Sequence, residues 1–419
     1  MPKIKQIARH DLAAAVKKIK TPFYCYDASV IRSRYAALRR ALPGGWRIYY
    51  AVKANPNVAI LEIYREMGAM AECASAGEIM AALKAGYKGG EIALSGPVKT
   101  EAEYGLIKKH RPSIVHAETE EELRAINGLG GLQKVALRIN LDLQLSKISK
   151  TGSACIMTGG NDKFGFSPGE AKKLLKRRGK FKHLDICGFH VYMGTQILSA
   201  GMWLKGARRF VEFAARLCSG TGSIKPSYVN LGGGFGIAYR ENDSDFDLNK
   251  LGKGMKLLDK KIGKISSFSK AVFHIEPGRF SIGPAGVYVM KVVAVKKMNQ
   301  RRYAMTDGGI HHALFPFRIS REFPVKILNR KESGKKLRYI LGGPLCTSLD
   351  QSELPVKLPE LRPGDILGIY QSGSYGFSAG MQFFLSHPMP AEALIDGKKL
   401  RIIRKPSAYA HLFRDQSGL

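Results

Sequence analysis

The sequence lacks three kinds of segment, and each absence excludes a class of protein. No apolar run approaches the roughly 20 residues that a membrane-spanning helix needs. The basic N-terminal stretch has no apolar core of the kind found in a secretory signal peptide, so we expect a cytoplasmic protein. Six cysteines are spread along the chain with no CxxC pair, which indicates neither a disulfide framework nor a zinc site.

Acidic residues are scarce. The 419 residues include 34 Asp and Glu against 67 Lys and Arg, which gives a formal net charge of +33. A surplus of this size is often a sign of nucleic-acid binding. Here the basic residues are dispersed, several at the spacing of a solvated helix face, and no nucleic-acid-binding motif accompanies them. A basic proteome or an acidic protein partner explains the charge as well, and we do not expect specific nucleic-acid binding.

The chain does contain a long alternation of short apolar runs and helical patterns, followed by a β-rich region. The predicted strands of the alternating region are residues 46–53, 69–73, 91–95, 113–116, 134–140, 184–194, 226–231 and 271–276. Eight strands that alternate with helices predict an α/β fold, the (β/α)8 barrel. The predicted domains are an N-terminal segment contributing to a β domain (1–25), the barrel (26–283) and a C-terminal β domain (284–419).

Polar groups suited to catalysis lie at the carboxyl ends of four of the predicted strands. They are Lys53, then His190 with Tyr192, then the glycines of "NLGGGFG", and finally Glu276 in "EPGR". Barrel enzymes place their chemistry at the carboxyl ends of the strands. A lone strand-end lysine is more often solvated, and a glycine run is more often a tight turn. An amine, a phosphate-binding turn and a carboxylate together, however, describe a binding site for pyridoxal 5′-phosphate.

Further motifs connect the sequence to a known family. The relevant stretches are "YAVKAN", "ECASAGEI", "NDKFGF", "GFHVYMGTQ", "NLGGGFGI", "EPGR", "GPLCTSLD" and "GSYGFS". In these the chain resembles the fold-type III pyridoxal-phosphate-dependent decarboxylases, which include the diaminopimelate and ornithine decarboxylases. The resemblance covers nearly the whole chain and implies an alanine-racemase-like barrel followed by a β domain. It also implies an amino-acid decarboxylase that works as a homodimer with shared active sites.

The resemblance implies a role for each matching residue. Lys53 carries the cofactor as a Schiff base, Glu276 pairs with the pyridine nitrogen, and Cys346 of the partner subunit returns a proton to the substrate. Either His190 or Tyr192 stacks on the cofactor ring. Further cofactor contacts are expected from Thr195, Gly233, Gly234, Gly278, Arg279 and Tyr375. Substrate contacts are expected from Arg279, Thr347, Asp350 and Tyr375.

Several positions depart from the family pattern. Thr347 follows the cysteine, where diaminopimelate decarboxylases have a glutamate and ornithine decarboxylases an aspartate. Phe315 and Ile319 stand where diaminopimelate decarboxylases have an arginine and a tyrosine that hold the substrate. Tyr192 replaces the usual ring-stacking histidine, and Asn230 replaces the aspartate usual before the glycine run. A pocket without these charged groups should bind a diamino diacid poorly.

The stretches "DGGIHHAL" and "GPLCTSLD" look most like one branch of the family. This branch contains decarboxylases associated with exosortase systems and decarboxylases that act on a glutamyl group tethered to an acyl-carrier protein. A substrate with a neutral distal end suits Thr347, and an acidic carrier would be attracted by the net charge of +33. Diaminopimelate decarboxylase is the alternative. A non-catalytic pyridoxal-binding protein is disfavoured because Lys53 and Cys346 are both present, and "GPLC" disfavours a racemase.

Overall fold

The computed structural model describes residues 7–143, 145, 155–159, 162–222, 224–240, 242–318 and 322–418. The chain divides into two compact units. The sheet unit comprises Met1–Ser33, Ala238–Asp243 and Ser281–Leu419, and the barrel unit comprises Arg34–Ile237 and Ser244–Phe280. The boundaries therefore lie near residues 33 and 280, and a short stretch inside the predicted barrel sequence belongs to the sheet unit. Ile319, one of the departures noted above, lies outside the described residues.

The elements of the described residues are numbered in chain order. The strands are β1 (Phe23–Asp27), β2 (Arg47–Ala51), β3 (Met70–Cys73), β4 (Ile92–Leu94), β5 (Ile114–Ala117), β6 (Gln133–Arg138), β7 (Cys155–Ile156), β8 (Leu184–His190), β9 (Gly194–Thr195), β10 (Tyr228–Asn230), β11 (Val272–Ile275), β12 (Gly286–Met298), β13 (Arg301–Thr306), β14 (Val325–Ile327), β15 (Leu337–Gly342), β16 (Val356–Leu358), β17 (Ile366–Ile369), β18 (Ala391–Asp396) and β19 (Lys399–Arg404). The α-helices are α1 (Arg9–Val16), α2 (Ala28–Ala41), α3 (Val58–Glu66), α4 (Ala76–Lys84), α5 (Glu101–His110), α6 (Glu120–Gly128), α7 (Pro168–Lys176), α8 (Ala200–Ser219), α9 (Leu248–Ile262), α10 (Arg279–Ile282) and α11 (Leu314–Arg318).

The barrel unit is a closed ring of parallel strands in the order β2, β3, β4, β5, β6, β8, β10 and β11. One of the helices α3 to α9 lies between each consecutive pair of these strands along the chain. Each strand overlaps one of the predicted strands, so the predicted (β/α)8 barrel is confirmed. Because all the strands are parallel, their carboxyl ends meet at one end of the barrel.

Two helices of the barrel begin with capping hydrogen bonds between residues three positions apart. At the start of α5, the backbone N–H of Thr100 donates to Glu103 Oε2 at 2.8 Å. At the start of α6, Thr119 Oγ1 accepts a hydrogen bond from the backbone N–H of Glu122 at 3.1 Å. These bonds satisfy amide groups that the first turn of a helix leaves without a partner. They fix where each helix begins and therefore where the preceding strand must turn.

The sheet unit contains a nine-stranded sheet in which β1 lies between β12 and β18. β1 is antiparallel to β12 and parallel to β18, and all five of its residues are buried. The apolar core on this sheet includes Leu12 of α1, Phe23 of β1 and Val289 of β12. The β-rich composition after residue 283 is thus confirmed as a β domain, and the N-terminal strand completes its sheet. Among the described helices, none has the length and apolar character required to cross a lipid bilayer.

Candidate active site

Lys53 lies where β2 leaves the core of the barrel. Four of the five β2 residues are buried, and a 3-10 turn over Val52–Ala54 follows directly. The Nζ atom lies 2.8 Å from Glu72 Oε2, and the Glu72 side chain is only 1% exposed. Glu72 reaches this place because it pairs with Ala51 in the register of β2 and β3. The ion pair with a buried carboxylate distinguishes Lys53 from an ordinary solvated lysine at a strand end.

Tyr192 stands beside this lysine. It follows β8 by two residues and is half-buried. The Lys53 Nζ atom lies 5.9 Å from the centroid of the Tyr192 ring. The side chain of Lys53 is 37% exposed, so the amine can be reached from solvent past this ring. The arrangement places an aromatic ring near the Lys53 amine.

Glu276 follows β11 and is the centre of a buried hydrogen-bond network. Asn230 Nδ2 donates to Glu276 Oε1 at 2.6 Å, and His190 Nε2 lies 3.2 Å from Glu276 Oε2. Burial, with a further contribution from the Arg138 guanidinium, holds the pKa of His190 well below its usual range. The imidazole is therefore neutral, and we assign its proton to Nε2, where it donates to the carboxylate. Two donors thus fix both oxygens of Glu276.

His116 supports His190 from one side. The two rings are parallel within 10° and their centroids are 4.1 Å apart. His116 Nδ1 lies 2.9 Å from Ser95 Oγ, and its Nε2 lies 2.8 Å from the Tyr228 hydroxyl. Burial lowers the pKa of His116 as well. One face of the His190 ring is therefore covered by protein.

The cluster of His116, His190 and Glu276 also meets a distance criterion for metal binding. Each residue offers one ligand atom, and these atoms lie within 4.8 Å of one another. However, both nitrogens of His116 and the Nε2 of His190 already take part in hydrogen bonds. We therefore interpret the cluster as a hydrogen-bonded network that orients Glu276.

The glycine run after β10 has the geometry of an anion site. Glu276 N–H donates to the Gly232 carbonyl at 3.0 Å, and Trp203 Nε1 donates to the Gly233 carbonyl at 2.8 Å. In a trans peptide the following N–H points away from the carbonyl, so the Gly233 and Gly234 amides face the opposite side. Neither amide has a hydrogen-bond partner among the described residues. A Cβ atom on Gly233 would lie 2.0 Å from the carbonyl oxygen of Glu276, which explains why glycine is needed there.

The remaining barrel residues predicted to contact a phosphate lie on adjoining segments. Gly278 precedes Arg279, which begins α10 and is 9% exposed. Thr195 is the last residue of β9 and pairs with Cys155 of β7. These positions are compatible with the predicted contacts, which stay predictions.

The sheet unit carries the other predicted residues. Cys346 is exposed, and Thr347 is half-buried with its N–H donating to the Leu345 carbonyl at 2.8 Å. Tyr375 adopts a positive φ of 53°, and its ring centroid lies 5.9 Å from that of Phe315. The loop of Cys346 thus presents a thiol at the surface of the unit.

Asp350, which the sequence predicts as a substrate contact, lies in the same unit and binds two backbone amides. Its side chain is buried, and its Oδ1 and Oδ2 atoms accept hydrogen bonds of 2.8 Å from the N–H groups of Ile310 and Leu345. Burial raises the pKa of its carboxyl group, while these bonds lower it. Both oxygens therefore hold backbone and order the loop that carries Cys346, and the predicted contact of Asp350 with substrate stays a prediction.

Sequence reasoning did not single out Glu72 or His116. Both lie within short buried strands, and Glu72 is part of the "ECASAGEI" stretch. The available signal was an ionisable residue inside an otherwise apolar strand, because such a residue needs a partner when it is buried.

Comparison with known proteins places these features in a family. Residues 28–283 match the model of the family described as pyridoxal-dependent decarboxylase, pyridoxal binding domain. An L-glutamyl-[BtrI acyl-carrier protein] decarboxylase of Niallia circulans is 31% identical over 94% of this chain and 93% of its own length. A diaminopimelate decarboxylase of Aquifex aeolicus is 29% identical over 94% of this chain and 90% of its own length.

Solved structures agree with the sequence comparison. The crystal structure of diaminopimelate decarboxylase from Helicobacter pylori complexed with L-lysine is 28% identical and superimposes with a TM-score of 0.83. The match covers 96% of this chain and 98% of that chain. The chain therefore belongs to the pyridoxal-dependent decarboxylases, and its cofactor is pyridoxal 5′-phosphate.

Proposed function

We propose that this pyridoxal-phosphate-dependent decarboxylase removes the α-carboxylate of an amino acid whose side chain ends in a neutral linkage, such as a glutamyl group joined to an acyl-carrier protein. The main support for this decarboxylase site is the ion pair of Lys53 with buried Glu72, which lies at the same end of the barrel as the Glu276 network. Support for the substrate comes from Thr347 and Phe315, where the resemblance would place charged groups in a diaminopimelate decarboxylase. The name of the Niallia circulans relative points the same way.

The barrel residues fit three parts of the cofactor. Lys53 Nζ would hold the aldehyde carbon, and the Gly233 and Gly234 amides, with Gly278 and Arg279, would hold the phosphate. Glu276, fixed through both oxygens, would accept a hydrogen bond from the protonated pyridine nitrogen and so keep that nitrogen protonated. When bound, pyridoxal phosphate supplies an electron sink for the pair released with CO2.

Ring stacking is assigned to Tyr192. The His190 ring is parallel to that of His116 at 4.1 Å and hydrogen-bonded toward Glu276, so its role is to position the carboxylate. Tyr192 has its aromatic ring near the amine of Lys53. Thr195 and Tyr375 stay predicted contacts to the cofactor, and Arg279, Thr347 and Tyr375 stay predicted contacts to the substrate.

The proton that replaces CO2 is proposed to come from Cys346. Its thiol is exposed on the sheet unit, which suits a residue that acts in another subunit. We therefore propose a homodimer in which Cys346 of the partner subunit protonates the substrate at Cα as a positioned general acid. The protein is proposed to act in the cytoplasm.

The charge of the chain suits an acidic carrier. The net charge of +33 would accelerate the association of an acidic protein, and this acceleration would decrease as salt shortens the Debye length to about 10 Å at 0.1 M. Free glutamate and meso-diaminopimelate are too small to gain as much from the same field. A large salt effect should therefore appear for the carrier-bound substrate alone.

The test compares kcat/KM for carrier-bound glutamyl substrate, free glutamate and meso-diaminopimelate at low and high salt. We expect the carrier-bound substrate to react best and to lose most of its advantage in high salt. If diaminopimelate reacts best, Thr347 and Phe315 do not determine specificity as proposed, and the alternative reaction is correct. The cofactor assignment is tested separately by borohydride, which should link the cofactor covalently to wild type and not to Lys53→Ala.

A further inference from the structure

The amino-terminal end of the barrel carries an open basin that the proposed reaction does not use. Its volume is about 580 Å³, and its walls come from the starts of the barrel strands. Binding sites for small molecules typically measure about 300–1,000 Å³, so the basin is large enough for one. The basin and Lys53 lie at opposite ends of the barrel. β2 begins at Arg47, which lines the basin, and ends two residues before Lys53.

The rim of the basin is basic. The charged side chains among its described lining residues are Arg47, Arg111, Lys134 and Lys270, and no acidic residue lines it. Lys134 lies opposite Asp185 in the sheet, so the other three supply most of the positive potential. Arg111 is partly fixed, because its NH1 group donates to the Gly130 carbonyl at 3.0 Å. A concave surface with cations and no counter-charge concentrates anions.

Two buried polar atoms in the wall have no hydrogen-bond partner among the described residues. They are Gln133 Oε1 and His274 Nδ1, and both side chains are at least 96% buried. The Gln133 amide is fixed because its Nε2 donates to the Pro112 carbonyl at 3.0 Å. Its oxygen can only accept a hydrogen bond, so a ligand that reaches it has to supply the donor. Burial lowers the pKa of His274 to about 3, so this ring is neutral and adds no charge.

We propose that the basin binds a small organic anion, a carboxylate or a phosphate ester, that also carries a hydroxyl or amino donor. Arg47, Arg111 and Lys270 would pair with the anionic group. The donor of the ligand would satisfy Gln133 Oε1, while the rings of Tyr49 and Tyr228, which form part of the lining, would lie against its carbon atoms. This site is independent of the cofactor and of the identity of the amino-acid substrate.

The test is isothermal titration of the enzyme saturated with pyridoxal phosphate. The probes are glycerol 3-phosphate with n-propyl phosphate, and glycerate with propionate, so that each hydroxylated anion has a partner without hydroxyl groups. We expect saturable binding in one of these pairs, with the hydroxylated member bound about tenfold more tightly, as expected for one hydrogen bond to a buried acceptor. The pair that binds identifies the anion as phosphate or carboxylate.

Two double variants with the same change in charge complete the test. Arg47→Gln/Lys270→Gln removes two rim cations, and Lys253→Gln/Lys256→Gln removes two exposed cations of α9. All four positions are exposed, so both variants should fold, which circular dichroism verifies. We expect the rim variant to bind at least about tenfold more weakly and the α9 variant to bind like wild type. The proposal is overturned by no saturable binding, by equal weakening in both variants, or by indifference to the hydroxyl groups.

Discussion

The Asn230→Asp substitution changes a single group in the network that fixes Glu276. In the wild type, Asn230 Nδ2 donates to Glu276 Oε1 and to the Tyr228 hydroxyl, both at 2.6 Å. Its Oδ1 accepts from the Gly232 N–H at 2.9 Å, and an aspartate oxygen could keep that bond. The substitution therefore keeps the shape of the side chain but places two carboxylate oxygens face to face in a buried site.

The size of the effect follows from the distance. Two unit charges 2.6 Å apart repel each other by roughly 6 kcal/mol at an effective dielectric constant of about 20. Since one pKa unit corresponds to about 1.4 kcal/mol, the carboxyl pair should retain one proton up to roughly four pH units above the usual aspartate pKa. The proton belongs to the pair, so no single residue is assigned to it.

The sign of the pH dependence can be derived from proton binding. Below about pH 4 the introduced carboxyl is protonated in both the folded and the unfolded chain, so charge repulsion does not reduce the free energy of unfolding. Between about pH 4 and pH 8 the unfolded chain has released this proton while the folded chain retains it, so the free energy of unfolding decreases as pH rises. Above about pH 8 both states have released the proton, so the decrease in the free energy of unfolding reaches its full size and no longer changes with pH.

The assay is urea unfolding of wild type, Asn230→Asp and Asn249→Asp at pH 5 and pH 8.5. Asn249 is exposed on α9, so its variant has the same change in charge without a buried partner. We expect the deficit of Asn230→Asp against wild type to grow by several kcal/mol between the two pH values, while Asn249→Asp follows wild type. A deficit of Asn230→Asp that is the same at both pH values would refute the assigned contact with Glu276.

Three further outcomes are expected. Gly233→Ala would place a Cβ atom 2.0 Å from a backbone carbonyl oxygen, so we expect the cofactor affinity, measured by equilibrium dialysis, to drop more than about tenfold. Gly90→Ala is the control, because a Cβ atom on Gly90 would meet open space, and this variant should bind the cofactor normally. Tyr192→Phe should keep most of kcat because it keeps the stacking ring, and Tyr192→Ala should lose about tenfold or more together with a shifted cofactor absorbance. When Lys53→Ala and Cys346→Ala subunits are mixed and subunit exchange is verified, up to about a quarter of the wild-type active sites should be restored. The reason is that half of random dimers are mixed, and each mixed dimer contains one complete site. No recovery would place both residues in the site of one subunit.

The barrel could be predicted from the sequence because its strands are short apolar runs that alternate regularly with helical patterns. The same rule predicted part of the site. Lys53 and Glu276 are more than two hundred positions apart, yet Lys53 lies two residues after β2 and Glu276 lies one residue after β11. In a closed parallel barrel β2 and β11 are neighbours, so their carboxyl ends come together.

Glu72 and His116 could not be predicted in the same way, because their roles depend on which side chains face each other across the barrel. The contact of Lys53 with Glu72 depends on the register that pairs Ala51 with Glu72. The stacking of His116 on His190 depends on three strands, since β6 lies between β5 and β8. Sequence periodicity gives the inward or outward direction of a residue, but it does not give the register between strands.

The choice between His190 and Tyr192 shows how the network changes the interpretation of a motif. Tyr192 stands where the resemblance places a ring-stacking histidine, and His190 lies two residues earlier, a spacing that predicts only that the two share a strand face. His190 is covered by His116 on one face and donates to Glu276, which favours our proposal that it holds the carboxylate. Asn230 provides the second donor to Glu276. We therefore propose that the departures at positions 192 and 230 concern different tasks, because Tyr192 lies near the amine of Lys53 and Asn230 donates to Glu276.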